Sequence, residues 1–444
     1  MKIMLKLSKR ASVAIAIVYL CIVAGANVSQ GQVHSVQTYI AYYGRTPEKQ
    51  YGQSFSGYSI LVDDPSSTNN VQAILKGQPN MVGIFHYLDM NYLDQPGSRS
   101  TGWKKDIIEH HEDFLLPTIG GEVNKNLPPK AKYAWGYMQP YDSTSPNRDR
   151  FFLNPASRDF ALYYAAVADS ILTLQNNRKK EGIFVDNVWQ DIRWNFSRVP
   201  KALQIDINGD GVLDSRDDAA WVDAIIDFSK RIRERLGSDV PLIANMGRCW
   251  SYKDGGFRIM ANSAFDGAMN ESFLHSSLSN DSSSYPSLDI WKINVNDIMI
   301  ADSLGKILLC QSFGKENDAQ ARLFCVASFL LGEGNKSYFN YCFHMSYGSL
   351  YHFPEFALPI GSPRENYTNA DQAFEASSGL YKRSFDSVDV IVNPSDHVVR
   401  FNSTVARKAL KLVGGVQEAG GHVVWETQQT FDMKPHSAII LGVQ

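Results

Sequence analysis

The sequence predicts a parallel (β/α)8 TIM barrel followed by a small antiparallel β-domain. Three observations predict it. Eight short strand-like runs alternate with helix-like segments between about residues 33 and 370. Those runs are apolar throughout rather than strictly alternating, as parallel strands covered on both faces are. Beyond about Ala373 the texture changes to short β-rich runs separated by Pro394, Gly414 and Gly420-Gly421.

The elements follow in order. Lys2, Lys6, Lys9 and Arg10 precede an uncharged apolar run, Ala11 to Ala26, and then small and polar residues through Gly31. That order is a secretory signal peptide over residues 1–32, so the chain is expected to be exported and not to stay in a bilayer. The run is short for a membrane span, which needs about 20 apolar residues. The first three strands are read at Val36–Tyr43, Tyr58–Val62 and Val82–Leu88, with a short helix over Asn69–Leu75. A long connection follows to about residue 155 and carries a strand-like piece, Tyr133–Met138, and a turn-rich loop. Asn154-Pro155 breaks the chain before an amphipathic helix, Ser157–Leu174. Gly182–Asn187 is the fourth strand, Ala219–Leu236 a helix and Pro241–Asn245 the fifth strand. Asp266–Glu271 and Lys306–Gln311 are the sixth and seventh, Arg322–Leu331 an apolar helix and Ser337–Phe343 the eighth. Residues 371–444 read as a β-sandwich-like domain.

Two of these strands share a grammar. Glu181-Gly-Ile-Phe-Val-Asp186 and Asp266-Gly-Ala-Met-Asn-Glu271 each run acid, Gly, three residues, acid. Side chains alternate along a strand, so Gly182, Phe184 and Asp186 share one face and Gly267, Met269 and Glu271 the equivalent one. Active sites of such barrels sit at the C-terminal strand ends, where both acids fall. An acid at the end of an apolar strand is costly to bury without a task or a partner. Glycoside hydrolysis needs two carboxyl groups flanking one bond. Asp186 is read as the nucleophile and Glu271 as the general acid/base, with strand-end capping as the alternative for each. The glycines are expected to leave room low in the barrel. Substrate contacts are expected from other strand ends: Asp63, His86, Asp89, Asn245, Gln311, Tyr341 and His344. Trp189, Trp194 and Trp250 are candidates to stack on sugar rings.

The phrases NPASRDF, EGIFVDNV, PLIANMG, FDGAMNESF, KILLCQS, SYFNY and GLYKRSFDSVDVIVNP occur in this order. In them the chain resembles hypothetical glycosyl hydrolase-like family 15 over most of its mature length. The resemblance implies a glycosidase on a TIM barrel. Related barrel families that cleave α-linked glycans place an Asp nucleophile after the fourth strand and an acid after the sixth, which implies those roles for Asp186 and Glu271. Glu181 departs from the Asp that usually precedes this glycine; it lies at the far end of the strand.

Residues 206–217 match the calcium-loop template, with Gly211 at the sharp-turn position. The ligands would be Asp206, Asn208, Asp210, Val212 through its main chain, Asp214 and Asp217. One Ca2+ is therefore expected to stiffen this EF-hand-like loop beside the mouth, with a solvated acidic turn as the alternative. The final Asp resembles the dockerin type of loop, but dockerin modules use two copies and only one is present. The remaining numbers bound the function. A net charge of -3 gives no basic field for nucleic acid. Cys249, Cys310, Cys325 and Cys342 show no zinc spacing and read as buried thiols rather than disulfides. The expected protein is a secreted, monomeric carbohydrate-active enzyme. A barrel that binds sugar without turnover and a calcium-dependent surface protein are the competing readings.

Overall fold

The computed structural model describes residues 35–43, 55–64, 70–94, 102–116, 119, 150–174, 176–196, 201, 204–248, 250–252, 254–275, 285–315, 318–343, 347, 350, 353–411 and 423–443. The signal-type segment, Tyr133–Met138, Cys249 and His344 lie outside them.

The chain forms β1 (Tyr39–Tyr42), β2 (Ile60–Asp63), α1 (Val71–Gly77), β3 (Gly83–Asp89), β4 (Tyr92–Asp94), α2 (Trp103–His110), β5 (Arg150–Phe152) and α3 (Arg158–Ile171). Next come β6 (Glu181–Asp186), α4 (Arg193–Phe196), α5 (Ser215–Leu236), β7 (Leu242–Asn245), α6 (Asp254–Asn262) and β8 (Gly267–Asn270). The barrel ends with α7 (Leu288–Ser303), β9 (Ile307–Gly314), α8 (Ala319–Gly332) and β10 (Ser337–Phe343). Its eight strands pair in parallel in the order β1-β2-β3-β6-β7-β8-β9-β10. A parallel bridge between Thr38 and Phe339 brings the first and last strands together, and Phe339 N donates to Gln37 O at 2.8 Å. The second strand pair, β4 with β5, is antiparallel and sits within the long connection.

Alternation sorts each strand into two faces. Tyr39, Ile60, Phe85, Phe184, Ile243, Met269, Leu309 and Tyr338 fill the barrel interior as one cluster. The opposite parity faces the helices. There Phe160 on α3 stacks on Phe228 of α5 with ring centroids 5.4 Å apart, and burying each ring contributes about 1.5–3 kcal/mol. Gly182 and Gly267 do not leave a void. A Cβ on Gly182 would lie 2.4 Å from Pro241 O and 2.8 Å from the Phe85 ring, so Phe85 already occupies that space.

Several helix starts carry local side-chain caps. Ser157 accepts from Phe160 N at 3.2 Å. Asp214 and Asp217 form a reciprocal capping box at the start of α5. The sequence places this helix four residues late, because acidic residues 214–218 read as loop rather than as its first turn. Helix α7 was not foreseen; its polar residues, among them the buried Asn294 and Asp297, blur the apolar period.

The C-terminal part is a six-stranded sheet: β11 (Phe374–Glu375), β12 (Leu380–Ser384), β13 (Val388–Asn393), β14 (Val399–Leu410), β15 (Trp425–Met433) and β16 (Ser437–Gly442), in the order β11-β12-β13-β16-β14-β15. All its pairs are antiparallel. Val390, Val392, Ala438 and Ile440 on one face join the main core. On the other face Leu380, Ile391 and Leu441 pack with Phe431 and Met433, and Phe401 lies against them. The expected small antiparallel β-domain is thus a six-stranded sheet with an apolar face on each side. Helix α8 lies between barrel and sheet, and every one of its residues except Gln320 is buried. That placement explains its lack of a polar face. Arg383 on β12 seals the end of α8, its Nη1 reaching Leu330 O, Leu331 O and Glu333 O at 3.0, 3.1 and 2.9 Å. Cys310, Cys325 and Cys342 are buried free thiols.

Candidate active site

Asp186 ends β6 and Glu271 follows β8, and the fold brings them together through Asn245, the last residue of β7. Asn245 Nδ2 donates to Asp186 Oδ1 at 2.7 Å and to Glu271 Oε2 at 3.0 Å. The amide faces this way because its Oδ1 accepts from Gly247 N at 3.0 Å. A positive φ of 70° makes glycine the favoured residue at that turn.

The remaining carboxylate oxygens have their own donors. Tyr87 Oη donates to Asp186 Oδ2 at 2.6 Å, and Asn187 Nδ2 donates to the same oxygen at 2.9 Å. Asn187 takes a left-handed φ of 61°, a conformation asparagine tolerates better than most residues. Tyr347 Oη donates to Glu271 Oε1 at 2.7 Å. Tyr347 is backed by Gln311 Nε2 at 3.2 Å, and Gln311 Oε1 in turn accepts from Asn340 Nδ2 at 3.1 Å. Tyr43 completes an aromatic wall, with ring centroids 5.6 Å from Tyr87 and 5.1 Å from Tyr347.

Asp89 ends β3 directly beside Asp186, to which it is paired in register. It is 2% exposed, accepts from Asn91 N at 2.9 Å and lies 3.8 Å from Lys104 Nζ. Burial raises the Asp89 carboxyl to about 6 against the pull of Lys104, with the Asp186 charge adding to the rise. Burial raises Asp186 to about 6 as well, helped by the nearby Glu271 charge and opposed by the donors from Tyr87, Asn245 and Asn187.

Of the residues expected to contact substrate, Asp89, Asn245 and Gln311 belong to this constellation, although Asn245 and Gln311 spend their side chains on neighbours. Four expectations need correction. His86 has the outward parity, and its Nε2 meets Oε1 of Glu181, the first residue of β6, at 2.7 Å. Glu181 holds Thr173 N and Leu174 N there as well. Tyr341 faces the helical layer, fully buried, with its ring edge-on to Phe353. Asp63 shares its face with Leu61, which packs in the outer cluster, so the inward parity at that strand end, that of Ile60 and Val62, belongs to Asp64. Trp250 is fully buried and stacks on Phe257, so no sugar can reach its ring. Trp189 is half-buried, packs beside Phe152 at 5.6 Å and accepts at its carbonyl from Trp221 Nε1. The Trp194 side chain is not described. Sequence reading passed over Tyr43, Tyr87 and Tyr347. Tyr87 carried a signal: it shares the inward face of β3 with Phe85 and Asp89. Tyr347 carried none, because it follows the last barrel strand in a turn.

The acidic loop takes the calcium-loop path in part. Asp206 accepts from Gly209 N, Asp210 N and Gly211 N at 2.7, 3.0 and 2.8 Å. Gly209 and Gly211 have φ of 79° and 80°. Other donors are engaged elsewhere. Asp217 is buried and accepts from Ile207 N and Asp214 N, and Arg216 pairs with both Asp210 and Asp214 at 2.9 and 2.7 Å. Among the described residues no group of three acidic, His or Cys side chains is gathered as for a metal ion. The all-oxygen donor set suits calcium; the Arg216 pairing opposes it.

A parallel barrel with two carboxylates at the C-terminal strand ends, backed by tyrosines and amides, defines the class: a glycoside hydrolase of the TIM-barrel type. The chain belongs to hypothetical glycosyl hydrolase family 15, whose model matches residues 85–388. None of the curated proteins matches the sequence. Among solved structures, it is similar to the glycoside hydrolase domain of PelA from Pseudomonas aeruginosa, at 11% identity and TM-score 0.43, covering 70% of this chain and 96% of that one. It is similar also to trehalose-6-phosphate hydrolase (TreA) of Bacillus licheniformis, at 11% identity and TM-score 0.44, covering 92% and 99%. A third likeness is to a debranching enzyme of Nostoc punctiforme, at 14% identity and TM-score 0.42, covering 93% and 98%.

Proposed function

We propose that this protein is a secreted, retaining glycoside hydrolase of an α-linked poly- or oligosaccharide, with Asp186 as nucleophile and Glu271 as general acid/base. The observation that carries the reading is the shared amide. Two oxygens held at 2.7 and 3.0 Å from one nitrogen lie at most about 5.7 Å apart. That bound suits the roughly 5–5.5 Å carboxyl spacing of retaining enzymes better than the roughly 6.5–9.5 Å of inverting ones.

In the first step Asp186 attacks the anomeric carbon while the glycosidic C–O bond breaks, and the leaving oxygen takes the Glu271 proton. In the second, Glu271 takes a proton from water, whose oxygen attacks the same carbon and releases Asp186. Three donors at Asp186 favour its ionised form, the one that attacks. The α-linkage rests on the order of the two acids along the barrel, shared with barrel families that cleave α-linked glycans. Proton NMR of the anomeric signal during turnover tests the mechanism. A first-formed product with the anomer of the substrate supports it, and the opposite anomer overturns it.

The reading includes two further features. Residues 1–32 are removed on export, which the intact mass of the mature protein checks. One Ca2+ binds at 206–217 once Arg216 releases Asp210 and Asp214. Arg216→Ala should then tighten calcium binding in isothermal titration. Absence of calcium heat with both wild type and variant would remove the site.

A further inference from the structure

Tyr39, Tyr43, Tyr87 and Tyr347 belong to one inward-facing cluster beside Asp186 and Glu271. Tyr87 Oη donates to Asp186 at 2.6 Å and Tyr347 Oη to Glu271 at 2.7 Å. Tyr39 Oη lies 3.4 Å from Gln311 Oε1. Tyr43 differs. It is partly exposed, and among the described residues its hydroxyl makes no hydrogen bond, only its ring and its backbone being engaged. We infer that Tyr43 is a substrate contact, its hydroxyl donating to an oxygen of the sugar unit that Asp186 and Glu271 flank. The inference rests on the reading of those two acids as the catalytic pair.

The strand sets the place of Tyr43. Tyr39 and Ala41 point inward along β1, and Tyr43 is the next residue of that parity. It stands just past the C-terminal end of β1, the end at which barrel active sites lie. Its backbone N donates to Tyr347 O at 2.7 Å, which ties the two segments together. Its ring lies 5.6 Å from that of Tyr87 and 5.1 Å from that of Tyr347, centroid to centroid. Tyr43 is therefore packed against both the tyrosine that holds Asp186 and the tyrosine that holds Glu271.

Packing does not account for the hydroxyl. Phenylalanine would build the same wall, and a phenol in an enclosed site ordinarily finds a hydrogen-bond partner. Burial raises the Tyr43 hydroxyl well above its ordinary value, and the charges of Asp186, Glu271, Asp64 and Asp63 add to the rise. The hydroxyl therefore keeps its proton throughout the working range and is available as a donor. A sugar whose anomeric carbon lies between the two acids brings oxygens to that donor. Removing the donor then weakens sugar binding, while the unliganded protein loses no hydrogen bond of its own. Tyr87 and Tyr347 differ, because each would leave a carboxylate short of a donor.

The test uses full-length protein carrying Asp186→Asn, so that sugar binds without being cleaved, labelled with 13C at tyrosine Cζ. The probes are α-linked trisaccharides of glucose, galactose and mannose. The Tyr43 signal is the one lost when Tyr43→Phe is added. A trisaccharide that binds should move this signal. Calorimetry should show that it binds the Tyr43→Phe protein about three- to tenfold more weakly, the effect of losing one neutral hydrogen bond. The urea midpoint should be the same with and without Tyr43→Phe, because the hydroxyl holds nothing in the unliganded protein. A trisaccharide that binds while the Tyr43 signal stays put, or that binds equally with and without Tyr43→Phe, overturns the inference alone. Binding of none of them overturns it together with the reading of the site. Failure of the catalytic assignment is separate and would appear as turnover surviving in Asp186→Asn.

Discussion

Asp186 should be a liability to the fold that carries it, and the cost can be read from pH. Its carboxyl is raised to about 6 in the folded protein, chiefly by burial and then by Glu271, from an ordinary value of about 3.9. A group whose folded value is raised holds its proton longer folded than unfolded. Stability is therefore unaffected by it below about pH 4, falls as pH rises through about 4 to 6, and stays lowered above. A difference of about two units corresponds to about 3 kcal/mol at most. Asparagine removes that charge but cannot accept from Asn245, Tyr87 and Asn187 together, so about 1 kcal/mol or more should be returned as lost hydrogen bonds. The expected net is that Asp186→Asn is about 1–2 kcal/mol more stable than wild type at pH 7, with the advantage vanishing or reversing near pH 4. Urea unfolding at a series of pH values reads this directly. A variant less stable than wild type at pH 7, or a difference that does not change with pH, would refute the reasoning.

Further consequences follow from single residues. Arg383→Met keeps an apolar stem but leaves the carbonyls of Leu330, Leu331 and Glu333 without their cation, and should cost about 3 kcal/mol in urea unfolding, with lysine recovering only part. Gly182→Ala should destabilise by about 1–3 kcal/mol through the contact with Pro241 O, and shortening Phe85 should recover little, since the backbone oxygen remains. Activity should fall along an acid limb near pH 6, where Asp186 takes up its proton, and kcat/KM against pH measures that limb.

The barrel was legible because its strands are apolar runs whose ends carry acids, and this pattern survives without knowledge of contacts. The nearness of Asp186 and Glu271, the proposed catalytic pair, was legible for the same reason: alternation from Gly182 and Gly267 places them on matching faces. The same rule, applied more strictly, would have sent His86 and Tyr341 outward, since Phe85 and Tyr338 set the inward parity of their strands. What could not be read was the arrangement of partners. Nothing local marks Asn245 as the link between two acids 59 and 26 residues away, or brings Tyr347 back over Glu271. Helix α7 was missed because its buried Asn294 and Asp297 have partners that only the tertiary fold supplies, Asn270 and Ser251, beside the local bond from Asn294 to Ile290 O. The acidic loop shows the converse limit. A ligand template specifies spacing, while Arg216, inside the template, binds two of the would-be ligands.

The central claim is that Asp186 and Glu271 perform the chemistry. Its most direct measurement is hydrolysis of an α-glycan panel by wild type, Asp186→Asn and Glu271→Gln side by side, with urea midpoints confirming that all three are folded. The account predicts that wild type releases reducing ends from at least one glycan and that each variant loses at least about a thousandfold of that rate. Near wild-type turnover in either folded variant would contradict it.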